Sequence, residues 1–114
     1  HVHQGKLTLE RLVDLMAYGP ARIHQIARKG RIAKGYDADF TIVDMNKTNI
    51  ISAEDMASKA GWTPFEGMET KGWPVYTIIR GHKVMDHGVL SETPIGKPIR
   101  FRESLSADSF DQNR

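Results

Sequence analysis

The stretch Lys29-Gly30-Arg31-Ile32-Ala33-Lys34-Gly35-Tyr36-Asp37-Ala38-Asp39 runs without a break into Phe40-Thr41-Ile42-Val43-Asp44-Met45. Its reading governs the rest of the chain. Gly30 and Gly35 flank a polar turn, and the residues after it have the β-branched and aromatic character of a strand. Phe40 and Ile42 share one side; Thr41, Val43 and Met45 share the other. Apolar residues on both sides predict a strand covered on both faces. Asp37 and Asp39 stand at the strand entrance, where carboxylates commonly accept backbone N–H bonds. A structural role is expected for both.

Upstream, Leu9, Leu12, Val13, Leu15 and Met16 recur at helical spacing and predict a helix over Thr8 to Tyr18. Thr8 is suited to the N-cap, and Glu10 places an anion in the first turn, where the helix dipole favours it. Gly19 reads as a stop. Pro20 suits the first position of a second short helix through Ile26, so a corner between two helices is expected.

Downstream, Asn46 and Lys47 read as a turn, and Thr48 to Ile51 as a second short strand. Ser52-Ala53-Glu54-Asp55 resembles a capping box, which predicts a turn or two of helix from Ala53 to about Lys59. Gly61-Trp62-Thr63-Pro64-Phe65-Glu66-Gly67 is an aromatic-rich loop. Pro64 drives Thr63 into an extended conformation. Val75 to Arg80 reads as a strand, Gly81-His82 as a tight turn and Lys83 to Asp86 as the returning strand of a hairpin. After Ser91, Pro94, Gly96 and Pro98 break all periodicity. Residues 103–114 form a polar tail, expected to be disordered or draped on a neighbour.

With 114 residues the chain holds one small domain at most, and 39% hydrophobic residues make a thin core. Some apolar faces are therefore expected to be completed by further sequence or by a partner. The chain opens on His1 rather than Met, which fits a fragment or a trimmed chain. Sixteen basic against 14 acidic residues leave a net charge of +2. The densest basic run, Arg28, Lys29, Arg31 and Lys34, lacks interleaved aromatics and reads as a solvated loop, so no nucleic-acid partner is expected. There are no cysteines, which excludes disulfides, thiolate nucleophiles and Cys-ligated zinc from this chain. No apolar run approaches the roughly 20 residues of a membrane-spanning helix, so no membrane partner is expected and a cytoplasmic protein is the default.

Several of these motifs carry a resemblance. Leu7-Thr8-Leu9-Glu10-Arg11-Leu12-Val13, followed by Pro20-Ala21-Arg22-Ile23, resembles the last barrel helices of the cyclic amidohydrolases: dihydroorotases, allantoinases, hydantoinases and dihydropyrimidinases. The Gly-x-Asp-Ala-Asp turn at Gly35 to Asp39 is common across the amidohydrolase superfamily. Pro64-Phe65-Glu66-Gly67 is narrower. With Trp62-Thr63 before it and Ser58-Lys59 upstream, it looks most like the dihydroorotases related to the multifunctional pyrimidine-synthesis proteins. The resemblance covers roughly residues 1 to 101.

It implies an α/β parent, a (β/α)8 (TIM) barrel with a small β-sandwich built from both chain ends. This chain, mixed α and β, would supply the last barrel helices (1–28) and the C-terminal strands of the sandwich (29–102). The parent would be a zinc hydrolase interconverting dihydroorotate and N-carbamoyl-aspartate, with its metal ligands outside this chain. Metal-bound water of lowered pKa is the basis of such chemistry. The resemblance further implies the remainder of the parent chain as partner, a homo-oligomer, and an association with aspartate carbamoyltransferase in the non-catalytic scaffold members. A free-standing β-rich binding module is the reading from another class.

No catalytic or substrate-binding residue is assigned in this chain. His1-Val2-His3 imitates the family's His-x-His metal motif, but that motif ends an apolar strand, and a helix cap follows here. Two ligands also fall short of the three or four that a zinc site requires. His1 and His3 are therefore rejected as ligands. His24 is expected at a domain boundary, and His82 and His87 on the surface flanking the hairpin. Glu66 is expected in an ion pair with Arg22 or Arg31. Trp62, Phe65 and Trp73 are expected to fill the junction of barrel and sandwich, with Pro64 and Gly67 shaping the loop.

Overall fold

The computed structural model describes residues 1–102; the tail expected at 103–114 lies outside them. A helical segment comes first and an antiparallel sheet follows, a mixed α and β arrangement.

The helical segment comprises α1 (Leu9–Val13), a π-helical turn (Asp14–Tyr18) and α2 (Gly19–Ile23). Thr8 caps it: the Arg11 N–H donates to Thr8 Oγ1 at 3.1 Å. Thr8→Ala leaves that donor without its partner and is expected to cost about 1 kcal/mol, read from the denaturation midpoint of the full-length protein.

The expected corner at Gly19-Pro20 is absent. Gly19 is right-handed helical (φ −57°, ψ −56°) and the chain continues through it. Pro20 has no N–H to donate, and its ring crowds the carbonyl four residues back. The wide π turn ahead of it absorbs this mismatch, with the Gly19 N–H bonded to the Asp14 carbonyl. Gly19 serves close approach here, because a Cβ would lie 2.8 Å from that carbonyl oxygen.

The sheet has the order β1-β2-β3-β4, all antiparallel: β1 (Phe40–Ile50), β2 (Glu69–Ile79), β3 (His82–Asp86) and β4 (Val89–Leu90). The two short strands expected around Asn46-Lys47 are one strand carrying a bulge. Met45, Asn46 and Lys47 face Gly72 between the Asp44–Trp73 and Thr48–Lys71 pairs. Asp44 Oδ1 accepts the N–H groups of Asn46 (2.9 Å) and Lys47 (3.3 Å), so the turn signal is a local loop closed by Asp44. β2 starts six residues before the expected Val75. Pro74 is tolerated in it because a register shift falls there and β3 pairs only from Tyr76 onward.

The hairpin turn is Arg80-Gly81, one residue earlier than expected, joining Ile79 to His82. Both residues have positive φ (47° and 80°), the type I′ geometry that matches strand twist. His87-Gly88 repeats it (48° and 91°) and creates β4, a strand the sequence pattern did not reveal. The helix expected from Ala53 to Lys59 is a single 3-10 turn, Ala53–Asp55, capped by Ser52.

After Ser91 the chain returns to the helical segment. Ile26 and Phe101 form an antiparallel bridge, the Ala27 N–H donates to the Arg100 carbonyl (2.9 Å), and the Arg102 N–H to that of Gln25 (2.9 Å). The core is small. Among the described residues only Ala21, Ala27 and Val75 are buried apolar side chains. Val13, Met16 and Ile23 on the helical segment are 55%, 75% and 72% exposed, and Ile42 and Val43 show that neither face of β1 is fully covered by the described residues. Apolar exposure on this scale is unusual for a free-standing soluble domain.

Candidate functional site

The turn at Asp37 to Asp39 joins the two parts of the molecule. Lys29, at the exit of the helical segment, lies between both carboxylates: Nζ is 3.0 Å from Asp37 Oδ2 and hydrogen-bonded to Asp39 Oδ2. The Arg28 Nε lies 3.8 Å from Asp37 Oδ1. The second Asp39 oxygen, Oδ1, accepts the Arg80 N–H at 2.8 Å, and the Ala38 carbonyl accepts the Gly81 N–H at 2.9 Å. The Arg80 guanidinium donates to the Ile95 carbonyl. Helix exit, strand entrance, hairpin tip and C-terminal arm therefore meet at one point. The backbone N–H that the Asp39 carboxylate accepts comes from a hairpin forty-one residues away, not from its own turn.

The charges respond accordingly. Burial pushes the Asp39 carboxyl up, but hydrogen bonds from Lys29 and from the Arg80 N–H outweigh it and hold it below the ordinary range. Burial likewise disfavours charged Lys29, and the Asp39 and Asp37 carboxylates overcome this and raise its pKa.

Beside this clamp lies a cavity of about 260 Å³ bordered by Tyr18, Arg22, Lys29, Arg31, Tyr36 and Arg102. The Arg22 and Arg31 guanidiniums lie 5.5 and 5.6 Å from the Tyr18 ring centroid, and Arg31 also lies 5.8 Å from that of Tyr36. Glu66 has neither arginine as partner. Its carboxylate accepts the Ala53 N–H, while the Gly67 N–H donates to the Ile51 carbonyl (2.9 Å). Glu66 therefore ties its loop to the 3-10 turn. Pro64 opens that loop's turn. Trp62 and Phe65 are 65% and 53% exposed and Trp73 is half-buried, so no junction closes around them among the described residues.

The histidines are dispersed. His3 Nε2 donates to the Met45 carbonyl (2.8 Å), tying the first residues to β1. His24 and His82 are exposed. His87 lies on the surface with Nδ1 2.7 Å from Asp86 Oδ1 and its ring edge-on to Tyr76. Among the described residues no three His, Asp or Glu side chains converge to hold a metal ion.

A profile of the amidohydrolase family matches residues 1–84. The chain belongs to the amidohydrolase family. Among known members of that family it is 45% identical to dihydroorotase from Methanothermobacter thermautotrophicus, over 80% of this chain and 21% of that protein. It is equally identical to dihydroorotase from Pyrococcus furiosus, over 86% of this chain and 23% of that one. The solved L-hydantoinase (dihydropyrimidinase) from Arthrobacter aurescens superposes with a TM-score of 0.74 at 36% identity, over 79% of this chain and 20% of that one. The chain thus spans about a fifth of the length of the amidohydrolases it matches.

Within this family member the described residues do not suit a catalytic zinc. His3 commits one ring nitrogen to a backbone carbonyl, and the required third donor is missing from its surroundings. No step of a hydrolysis is assigned to these residues. Two features escaped reading from sequence. The Arg22-Tyr18-Arg31-Tyr36 stack left no signal, since its members are split between the helical segment and the turn that follows it. The Arg80-Gly81 and His87-Gly88 pairs did carry one: each is an X-Gly dipeptide between strand-like runs.

Proposed function

We propose that this chain is the C-terminal part of a dihydroorotase, interconverting dihydroorotate and N-carbamoyl-aspartate in pyrimidine synthesis, and that its own role is structural. The single observation that carries the reading is 45% identity to two dihydroorotases over at least four-fifths of the chain. The exposed Val13, Met16 and Ile23 support it, being a surface for the rest of a (β/α)8 barrel to cover. On this reading residues 1–28 belong to the barrel and 29–102 to a β-sandwich. The zinc and its ligands belong to the remainder of the parent. Asp39 and Glu66 hold backbone, and Asp37 holds Lys29 and Arg28, rather than substrate. The protein is cytoplasmic and homo-oligomeric, with aspartate carbamoyltransferase as a candidate partner. No described helix is long and apolar enough to cross a membrane.

A second reading has its own support. The L-hydantoinase of Paenarthrobacter aurescens is 39% identical over 89% of the chain, and an allantoinase of Desulfitobacterium hafniense 37% over 86%. The deciding experiment is an assay of the full-length protein with dihydroorotate, hydantoin and allantoin. Turnover of dihydroorotate in preference to the other two is expected. Preference for hydantoin or allantoin transfers the assignment to the second reading. No turnover of any of them by metal-loaded protein leaves a non-catalytic scaffold.

A further inference from the structure

The cavity between Tyr18, Tyr36 and Arg102 has an excess of positive charge that the described residues do not neutralise. Lys29 on its wall is balanced, with Asp37 and Asp39 taking up both it and Arg28. Arg22, Arg31 and Arg102 are different. Among the described residues none of these three guanidiniums has a carboxylate within 4.0 Å. Two of them are held by aromatic rings instead, with Arg22 and Arg31 both near the Tyr18 ring and Arg31 also near Tyr36. A ring orients a guanidinium without using up its N–H donors. All three residues are exposed, so water screens much of their mutual repulsion, and a bound anion would relieve the rest.

We infer that this cavity is an oxyanion site that binds a phosphate group, either inorganic phosphate or the phosphate end of a small phosphomonoester. Size supports the small ligand. At about 260 Å³ the cavity falls below the roughly 300–1,000 Å³ of pockets that enclose drug-sized molecules. Chemistry supports the oxyanion, because the planar guanidinium fork matches phosphate oxygens in pairs. The inference rests on these side chains alone, so it stands whichever cyclic amide the parent opens.

The test uses the full-length protein. Inorganic phosphate and phenyl phosphate are titrated while the 31P signal and the melting temperature are followed, against sodium chloride at matched ionic strength. Saturable broadening of the 31P signal and a melting temperature raised above the chloride control are expected. Arg31→Gln should weaken the affinity roughly tenfold, and Arg31→Lys less, since it keeps charge but loses the fork. Inorganic phosphate binding as tightly as phenyl phosphate marks the free ion as ligand, and tighter phenyl phosphate the ester; either supports the site. If Arg31→Gln does not fold, Arg102→Gln at the rim serves in its place. The inference is overturned if phosphate acts no differently from chloride, or if the variant binds as well as the parent. It is equally overturned if the variant melts lower without phosphate while phosphate leaves the parent unmoved, since a protein carboxylate then fills the cavity.

Discussion

Gly30→Ala is expected to destabilise the protein by about 4 kcal/mol, the sum of a backbone and a packing effect. Gly30 has φ +83°, a left-handed conformation that costs an L-residue roughly 1–2 kcal/mol. It also lies directly against the helical segment. A Cβ there would meet the Ala17 carbonyl oxygen and the Ala21 Cβ, both at 2.7 Å. Neither neighbour is the end of a flexible side chain. The loop must lift off the segment, and that movement displaces Lys29 from its two carboxylates. Gly35→Ala is the control. Gly35 has nearly the same φ, +82°, but a Cβ there meets nothing within 4 Å, so only the backbone cost applies. Urea denaturation of the two full-length variants separates the effects. Equal losses at both positions would remove the packing argument.

Asp39→Ala is expected to cost about 2 kcal/mol, because hydrogen bonds to a charged group exceed neutral ones and two are lost together. Asp39→Asn distinguishes them: its amide oxygen still accepts the Arg80 N–H, while the ion pair with Lys29 is lost. The pH dependence follows from the directions of the shifts. The folded pKa of Asp39 lies below its ordinary 3.8, so its contribution is present above that value and is lost as pH falls through the lowered folded pKa. The folded pKa of Lys29 lies above its ordinary 10.5, so its contribution is present below that value and is lost as pH rises through the raised one. The stability difference between parent and Asp39→Asn should therefore be flat through the neutral range and shrink at both extremes. A difference that peaked near neutral pH would point to a histidine instead. His3, the histidine tied to β1, takes no part in this clamp.

Both variants probe one junction, and the sequence announced only half of it. Gly30, Asp37 and Asp39 were recognisable as turn residues from their chemistry and their place before an apolar strand. What they turn around was not recognisable. Arg80 N–H and Ala17 lie 41 and 13 residues away from their respective partners, and no local pattern relates them. The helix boundary failed for a related reason. Gly-Pro is a strong local stop signal, yet a π turn lets both residues remain helical, and turn width leaves no trace in hydrophobic spacing. Asn46-Lys47 likewise has turn composition, and only pairing of the flanking residues with β2 makes it a bulge rather than the end of a strand.

The candidate site divides along the same line. The rejection of His1-Val2-His3 rested on sequence context and ligand count. The true partner of Glu66 and the two arginines beside Tyr18 are set only by the tertiary structure. The amino-acid sequence by itself determined the family, through its motifs, and the helical opening, β1 and the β2–β3 hairpin, because side-chain period and turn chemistry are local properties. Tertiary structure alone decided the register, the clamp on Lys29 and the cationic cavity. Those depend on which distant backbone groups come within hydrogen-bonding reach, and that is settled only when the chain closes on itself.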